Sequence, residues 1–341
     1  MRILLLSHVF PPSLGGTETV ARLLAVQFHL MGHEVRVVTN TKSDGKDDFP
    51  FPVYRRPDAL TLLRLTRWCE VFFQNNISLK SAWPLTIVRK PWVIAHHTWI
   101  RRPSGGTALR DFIKRALSRH AMNIAVSRVL AGSMPVPARV IGGPYDSNVF
   151  VCKNGIERCD GVVCVSRLVS EKGVDLLIDA AGALKRRGVL PSISIVGDGP
   201  EKSRLQRQAE GLGLQDTMRF LGYQNGDCLV RLLNQHKILV IPSRCEETFG
   251  LAALEGMACG CLVVAAESGG LPEAIGRHGL LFKRGDVFSL AERLELALKE
   301  PNLRERLLDG VNQHLAQFKP DTVAGRYLEV FCKALESKTS C

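Results

Sequence analysis

Glu247 and Glu255 stand with seven residues between them in "SRCEETFGLAALEGMACG" (243–260), a stretch that also holds the small residues Ala252, Ala253, Gly256 and Ala258. The preceding "KILVIPS" (237–243) reads as a buried strand that delivers the chain to the carboxyl edge of a sheet, and Gly250 onward reads as the returning helix. Glu247, Thr248, Phe249 and Gly250 then lie in the strand-to-helix loop. There the first N–H groups and the positive end of the helix dipole make a site for phosphate oxygens. Glu255, about a turn and a half into the helix, has the reach for sugar hydroxyls beside those phosphates, and a carboxylate accepting from two vicinal hydroxyls is a strong, directional contact. The competing explanation is purely structural: an acid favoured by the helix dipole, and a solvated position on an otherwise apolar helix.

Other residues weigh on that choice. The loop "VSRLVSEKG" (165–173) follows another apolar run, and Arg167 and Lys172 in it can converge on a diphosphate from the opposite wall of the same sheet edge. "VGDGP" (196–200) adds a further glycine-bearing strand-to-helix turn. No G-x-G-x-x-G follows any predicted strand, which argues against nicotinamide or flavin chemistry. The ten cysteines contain no C-x-x-C pair, and Cys164, Cys259 and Cys261 fall in apolar segments where a thiol acts as a small hydrophobe, so no zinc is expected.

The elements that must position these groups come in two series. "RILLLS" (2–7), a helical stretch over 17–31 with Val20, Leu23, Leu24 and Phe28 on one face, and "EVRVVTN" (34–40) form a β-α-β unit, which implies a parallel sheet. Residues 41–60 read as loop; "WVIAHHT" (92–98) and "MNIAVS" (122–127) read as further strands. Turn residues run through 142–160, where the inter-domain connection is expected. Strands at 161–166, 192–197, 237–243 and 261–266 then alternate with helices at 173–188, 201–213 and from about 250. The expectation is an α/β chain of two Rossmann-like doubly wound domains, 1–150 and 151–316, facing a cleft, with 317–341 as a closing segment.

At 341 residues the length suits two domains. No apolar run reaches the ~18 residues that cross a bilayer, and "MRILLLSHVF" is too short for a secretory signal, so a cytoplasmic protein is expected. Residues 1–150 carry 20 Lys and Arg against 9 Asp and Glu, while residues 151–341 carry 25 against 24. Basic charge concentrated in the first half suggests an anionic partner, and a membrane surface fits better than nucleic acid, since no reading motif or basic-aromatic stretch appears. Peripheral association with the inner face of the membrane follows as an expectation.

"SLGGTE", "SRLVSEKGVDLLIDA", "VGDGPEKSRL", "IPSRCEETFGLAALEGMACG" and "SGGLPEAI", in this order, resemble family-4 retaining glycosyltransferases of the GT-B fold (glycosyl transferase group 1). The strong part covers 161–285, and "FKPDTVAGRYLEVF" is similar to the family's final helix that crosses back to the first domain. The resemblance implies that Glu247 contacts the donor sugar, Glu255 holds the nucleotide ribose, and Arg167 and Lys172 neutralise the departing diphosphate. Thr248, Phe249 and Gly250 match the backbone segment near sugar and phosphate, and Gly15 and Gly16 the N-terminal loop that closes on the donor. "IAHHT" matches the strand-end histidine; His97 is favoured over His96 because a small or polar residue directly follows it. Two features depart from the pattern: Ser166 stands where glycine is common, and "IGGPYDSNVF" (141–150) replaces the usual Pro-Asn-Gly connection.

The implied reaction moves a hexosyl group from a nucleoside diphosphate sugar to a hydroxyl acceptor with retention, without cofactor or metal, and no D-x-D occurs in the chain. A saccharide or lipid-linked saccharide in cell-surface glycan synthesis is the expected acceptor, with Trp99, Arg101 and Arg102 as the candidate acceptor surface. Three rival readings stand beside it. A two-carboxylate glycosidase needs acids on opposite sides of the substrate, whereas these share one loop and helix. A non-catalytic sugar-nucleotide module in a membrane-associated assembly would lack transfer, and a nucleic-acid binder would show steep salt dependence.

Overall fold

The structure is a computed structural model that describes residues 1–43, 45, 47–100, 109–300 and 302–339. The chain divides into two units, Met1–Asp146 with Gln317–Cys341, and Ser147–Ala316.

In the first unit, strands β1 (Arg2–Ser7), β2 (Glu34–Thr39), β3 (Val53–Arg55), β4 (Val71–Asn75), β5 (Trp92–His96), β6 (Met122–Ala125) and β7 (Arg139–Val140) form one sheet. Its order is β3-β2-β1-β4-β5-β6-β7, and every pairing is parallel. β4 reads "VFFQN" and is buried at all five positions, as a strand covered on both faces must be. The helix Gly16–Leu30 covers one face through Val20, Leu23, Leu24 and Phe28, the stripe expected from helical spacing. The long helix Pro320–Thr339 packs beside it: Phe331 lies 5.3 Å from Phe28 and 5.2 Å from Phe73 between ring centroids. Tyr327 is fully buried in the same cluster. The loop expected over 41–60 contains the strand β3, whose three residues are only half-buried at the sheet edge and so carry little hydrophobic signal.

In the second unit, β8 (Cys159–Val165), β9 (Ser192–Val196), β10 (Met218–Gly222), β11 (His236–Ile241), β12 (Leu262–Ala266) and β13 (Gly279–Phe282) make a second sheet, ordered β10-β9-β8-β11-β12-β13 and parallel throughout. The helix Leu251–Ala258 lies tight on this sheet. A Cβ on Gly256 would come within 2.3 Å of Leu239, which explains why small residues crowd this helix. Among the described residues no helix is long and apolar enough to cross a membrane.

Candidate functional site

β8 and β11 are neighbours, but β8 leads on to β9 and β11 to β12 on its other side. The connections therefore diverge, and the crevice at their carboxyl ends is the place where such sheets take ligands. The loop after β8 carries Arg167 and, on the 3-10 turn Ser170–Lys172, the lysine. The loop after β11 carries Glu247.

These loops are built against each other. Gly173 has φ +66°, and a Cβ there would stand 2.0 Å from the Pro242 carbonyl oxygen, so the approach requires glycine. The Arg244 and Cys245 N–H groups donate to the Glu171 carbonyl at 2.9 and 3.2 Å. Lys172 Nζ donates to Glu247 Oε1 at 2.5 Å, and Ser243 Oγ donates to the same oxygen at 2.6 Å. Oε2 takes no hydrogen bond among the described residues, so one carboxylate oxygen is braced and the other is left for a ligand. The loop after β12 closes the set, with Gly270 N–H donating to the Glu247 carbonyl at 2.8 Å.

Arg167 is exposed at the same strand end. Phe249 is buried, so its backbone rather than its ring borders the crevice, while Gly250 is the residue from which the helix Leu251–Ala258 starts. Glu255 is half-buried in the second turn of that helix, and Thr248 is half-buried in the loop. Ser166 is half-buried, its Oγ turned away from solvent. Among the described residues no cluster of His, Cys, Asp and Glu could hold a metal ion.

The remaining candidates belong to the first unit. His96 and His97 end β5, and they are in different states. His96 Nε2 donates to Asn123 Oδ1 at 2.9 Å, and burial holds this imidazole down at about 4. His97 is anchored by its backbone N–H, which donates to Asn76 Oδ1 at 2.7 Å. Its ring Nε2 is buried with no hydrogen-bond partner among the described residues, and burial, with the charge of His96 adding to it, pushes the group down to about 3. His97 is therefore neutral at physiological pH. Gly15 and Gly16 are exposed, and Gly16 opens the helix Gly16–Leu30 rather than belonging wholly to the loop. Trp99 is half-buried; Arg101 and Arg102 lie outside the described residues.

Sequence reasoning missed Ser243, which braces Glu247, and the pair Asn75 and Asn76 at the end of β4. Asn75 Nδ2 donates to Ser7 Oγ and to the Thr17 carbonyl, both at 3.2 Å, and Asn76 sits at φ +71°. The available signal was two asparagines closing the short strand-like stretch "VFFQNN" (71–76), a pattern suited to a left-handed turn at a strand's carboxyl end.

Residues 154–311 match the family described as glycosyl transferases group 1. Among curated proteins, D-inositol 3-phosphate glycosyltransferase of Salinispora arenicola is 36% identical over 192 residues, covering 52% of this chain and 42% of that protein. Alpha-D-kanosaminyltransferase of Streptomyces kanamyceticus is 30% identical over 176 residues, covering 50% of this chain and 45% of that protein. The chain thus spans somewhat under half the length of these two relatives. Among solved structures, Anabaena Alr3699/HepE in complex with UDP and glucose superposes with a TM-score of 0.82 at 22% identity, covering 98% of this chain and 100% of that one. Sucrose-phosphate synthase from Thermosynechococcus elongatus gives 0.81 at 19% identity, covering 98% and 99%.

Proposed function

Residues 154–311 belong to the glycosyl transferases group 1 family, the two units have the GT-B fold, and from that premise we propose that the chain moves a hexosyl group from a nucleoside diphosphate sugar to a hydroxyl acceptor, with retention and without a metal. The observation that carries this reading is the braced Glu247 carboxylate beside Lys172 at the β8/β11 switch point. Glu247 Oε2 accepts from a donor-sugar hydroxyl, and Glu255 accepts from the ribose hydroxyls.

As the anomeric C–O bond breaks, the ring gains positive charge and the diphosphate negative charge. Lys172, Arg167 and the N–H groups that open the helix Leu251–Ala258 stabilise the leaving group. The acceptor's proton passes to the departing phosphate oxygen, so no separate base is required. His97, neutral and with an unoccupied ring nitrogen, supports the sugar as a hydrogen-bond partner rather than as a charge. The acceptor is a saccharide or lipid-linked saccharide, and the basic first half of the sequence favours one presented at an anionic membrane surface. Gly15, Gly16 and Trp99 are assigned to the sugar-facing loops of the first unit by resemblance.

The test is a thermal-shift screen against UDP, GDP, ADP and TDP and their hexose conjugates without added metal, followed by NMR of the anomeric configuration of any product. UDP is the first candidate, because the HepE structure holds it. Stabilisation by one nucleotide and a product that keeps the donor's configuration are expected. An inverted product, or binding without transfer to any saccharide, would overturn the reading.

A further inference from the structure

The helix Leu109–Ser118 faces the wrong way for a helix that only closes a core. Its apolar residues Leu109, Phe112, Ile113, Ala116 and Leu117 fall on one stripe at helical spacing. Ala116 and Leu117 are half-buried, Leu117 against the core beside Trp92, yet Leu109, Phe112 and Ile113 are 76%, 67% and 38% exposed, while Asp111 at 6% and Ser118 at 0% are turned inward. An apolar stripe presented to water while a carboxylate is buried marks a face that expects another apolar phase. The residues flanking the stripe are basic: Arg110 and Lys114 on one side, Arg115 and Arg119 on the other, with Asp111 the one acid in residues 109–120.

A cavity of about 640 Å³ adjoins this stripe. Ile113 and Leu117 are part of its lining, as are Trp83, Leu85 and Trp92, with the polar residues Thr86, Arg89, Lys90 and His120 among the others. Trp92 is 8% exposed, and its indole N–H has no acceptor among the described residues. Trp92 opens β5 and His97 follows its last residue, so the cavity lies at the opposite end of a strand about 16 Å long from the histidines.

We propose that the outward stripe of the helix Leu109–Ser118 and the adjoining cavity form a docking surface for an anionic phospholipid bilayer, the stripe entering the acyl boundary and the cavity taking an acyl chain. Basic residues on both sides of a narrow apolar arc are what an interfacial helix needs to meet headgroup phosphates while its centre enters the lipid. A protein partner or a second copy of this chain would have to supply acidic residues on both sides of an apolar groove, which is the less economical complement. The cavity supplies what a short helix lacks: depth for a chain, and in Trp92 a donor for an ester carbonyl. This inference deepens the membrane-facing part of the proposed function, and its readout is independent of sugar transfer, so either can fail alone.

The full chain is sedimented with vesicles of phosphatidylcholine, and with vesicles in which phosphatidylglycerol replaces part of it. Binding to the anionic vesicles only is expected. Leu109→Ser with Phe112→Ser should abolish it, and Arg110→Glu with Arg119→Glu should lower it about tenfold or more. Each variant should keep its unfolding midpoint and its nucleotide-dependent thermal shift. Lipid brominated on its acyl chains should quench tryptophan fluorescence, and Trp83→Phe with Trp92→Phe should remove most of that quenching. Absence of binding to both vesicle types, unchanged binding by the helix variants, or a self-associated form dissolved by Phe112→Ser without vesicle binding would each overturn the proposal.

Discussion

Lys172 and Glu247, 75 positions apart, are joined by a 2.5 Å ion pair that ties the loop after β8 to the loop after β11. Their side chains are 22% and 18% exposed, so the pair is shielded without being sealed. Ser243 holds the same carboxylate oxygen. One contact thus fixes both the group assigned to the sugar and the group assigned to the leaving diphosphate.

Breaking that tie from either side should cost activity more than stability. Lys172→Ala and Glu247→Gln are each expected to lower kcat/KM by about a hundredfold or more, and the double variant by much less than the product of the two, because the residues act as a unit. Steady-state transfer rates for the four proteins check this. Full additivity would contradict the shared role.

Glu255→Ala should leave the unliganded unfolding midpoint within a few degrees of the wild type, since the side chain is only half-buried. The nucleotide-dependent shift should disappear. A mutant that keeps the full shift would place the ribose elsewhere.

The paired histidines should set part of the acid stability. Burial lowers His97 to about 3 and His96 to about 4, below the ordinary 6.5 of the unfolded chain. Between those values the unfolded state binds more protons, so stability is fully present above about 6.5 and falls as the pH drops toward the folded values. Denaturant unfolding at pH 7 and pH 5 should show a smaller loss for His97→Asn than for the wild type. The transfer rate, by contrast, should show no limb from His97 between pH 5 and 8.

Gly173→Ala should be costly for its size. The substitution puts a Cβ against the Pro242 carbonyl at a positive φ, and a loss of about 1–3 kcal/mol is expected. Because Gly173 follows Lys172 directly, kcat should fall with it. Unfolding midpoint and kcat, measured on one preparation, separate the two effects.

Transfer should survive a chelator. The leaving-group charge is assigned to Lys172, Arg167 and backbone N–H groups, so EDTA should leave kcat unchanged, and a requirement restored by Mg²⁺ or Mn²⁺ would contradict that assignment.

Much of this arrangement was readable because strong local signals coincide with it. The β-α-β opening, the second strand series and the loop from Glu247 to Gly250 all carry period and turn residues that declare a strand, a reversal and a helix. Contacts made by folding alone were not readable. Ser243 sits four residues before Glu247 with no pattern to announce that it bonds the same oxygen as Lys172. The helix Leu109–Ser118 has the sequence of an amphipathic helix, and sequence cannot say which side such a helix turns to solvent. β4 is fully buried although two of its five residues, Gln74 and Asn75, are polar, and so short a stretch has no period to distinguish it from a piece of helix.

The return of the chain to its first unit has a consequence for synthesis. Phe28 and Phe73 are made early, but Tyr327 and Phe331, which complete their cluster, follow only after residues 147–316 have been translated. On the ribosome the second unit can finish folding while the first still waits with an open aromatic face, so the N-terminal half is the one that needs shelter during translation, reversing the usual order in which domains mature.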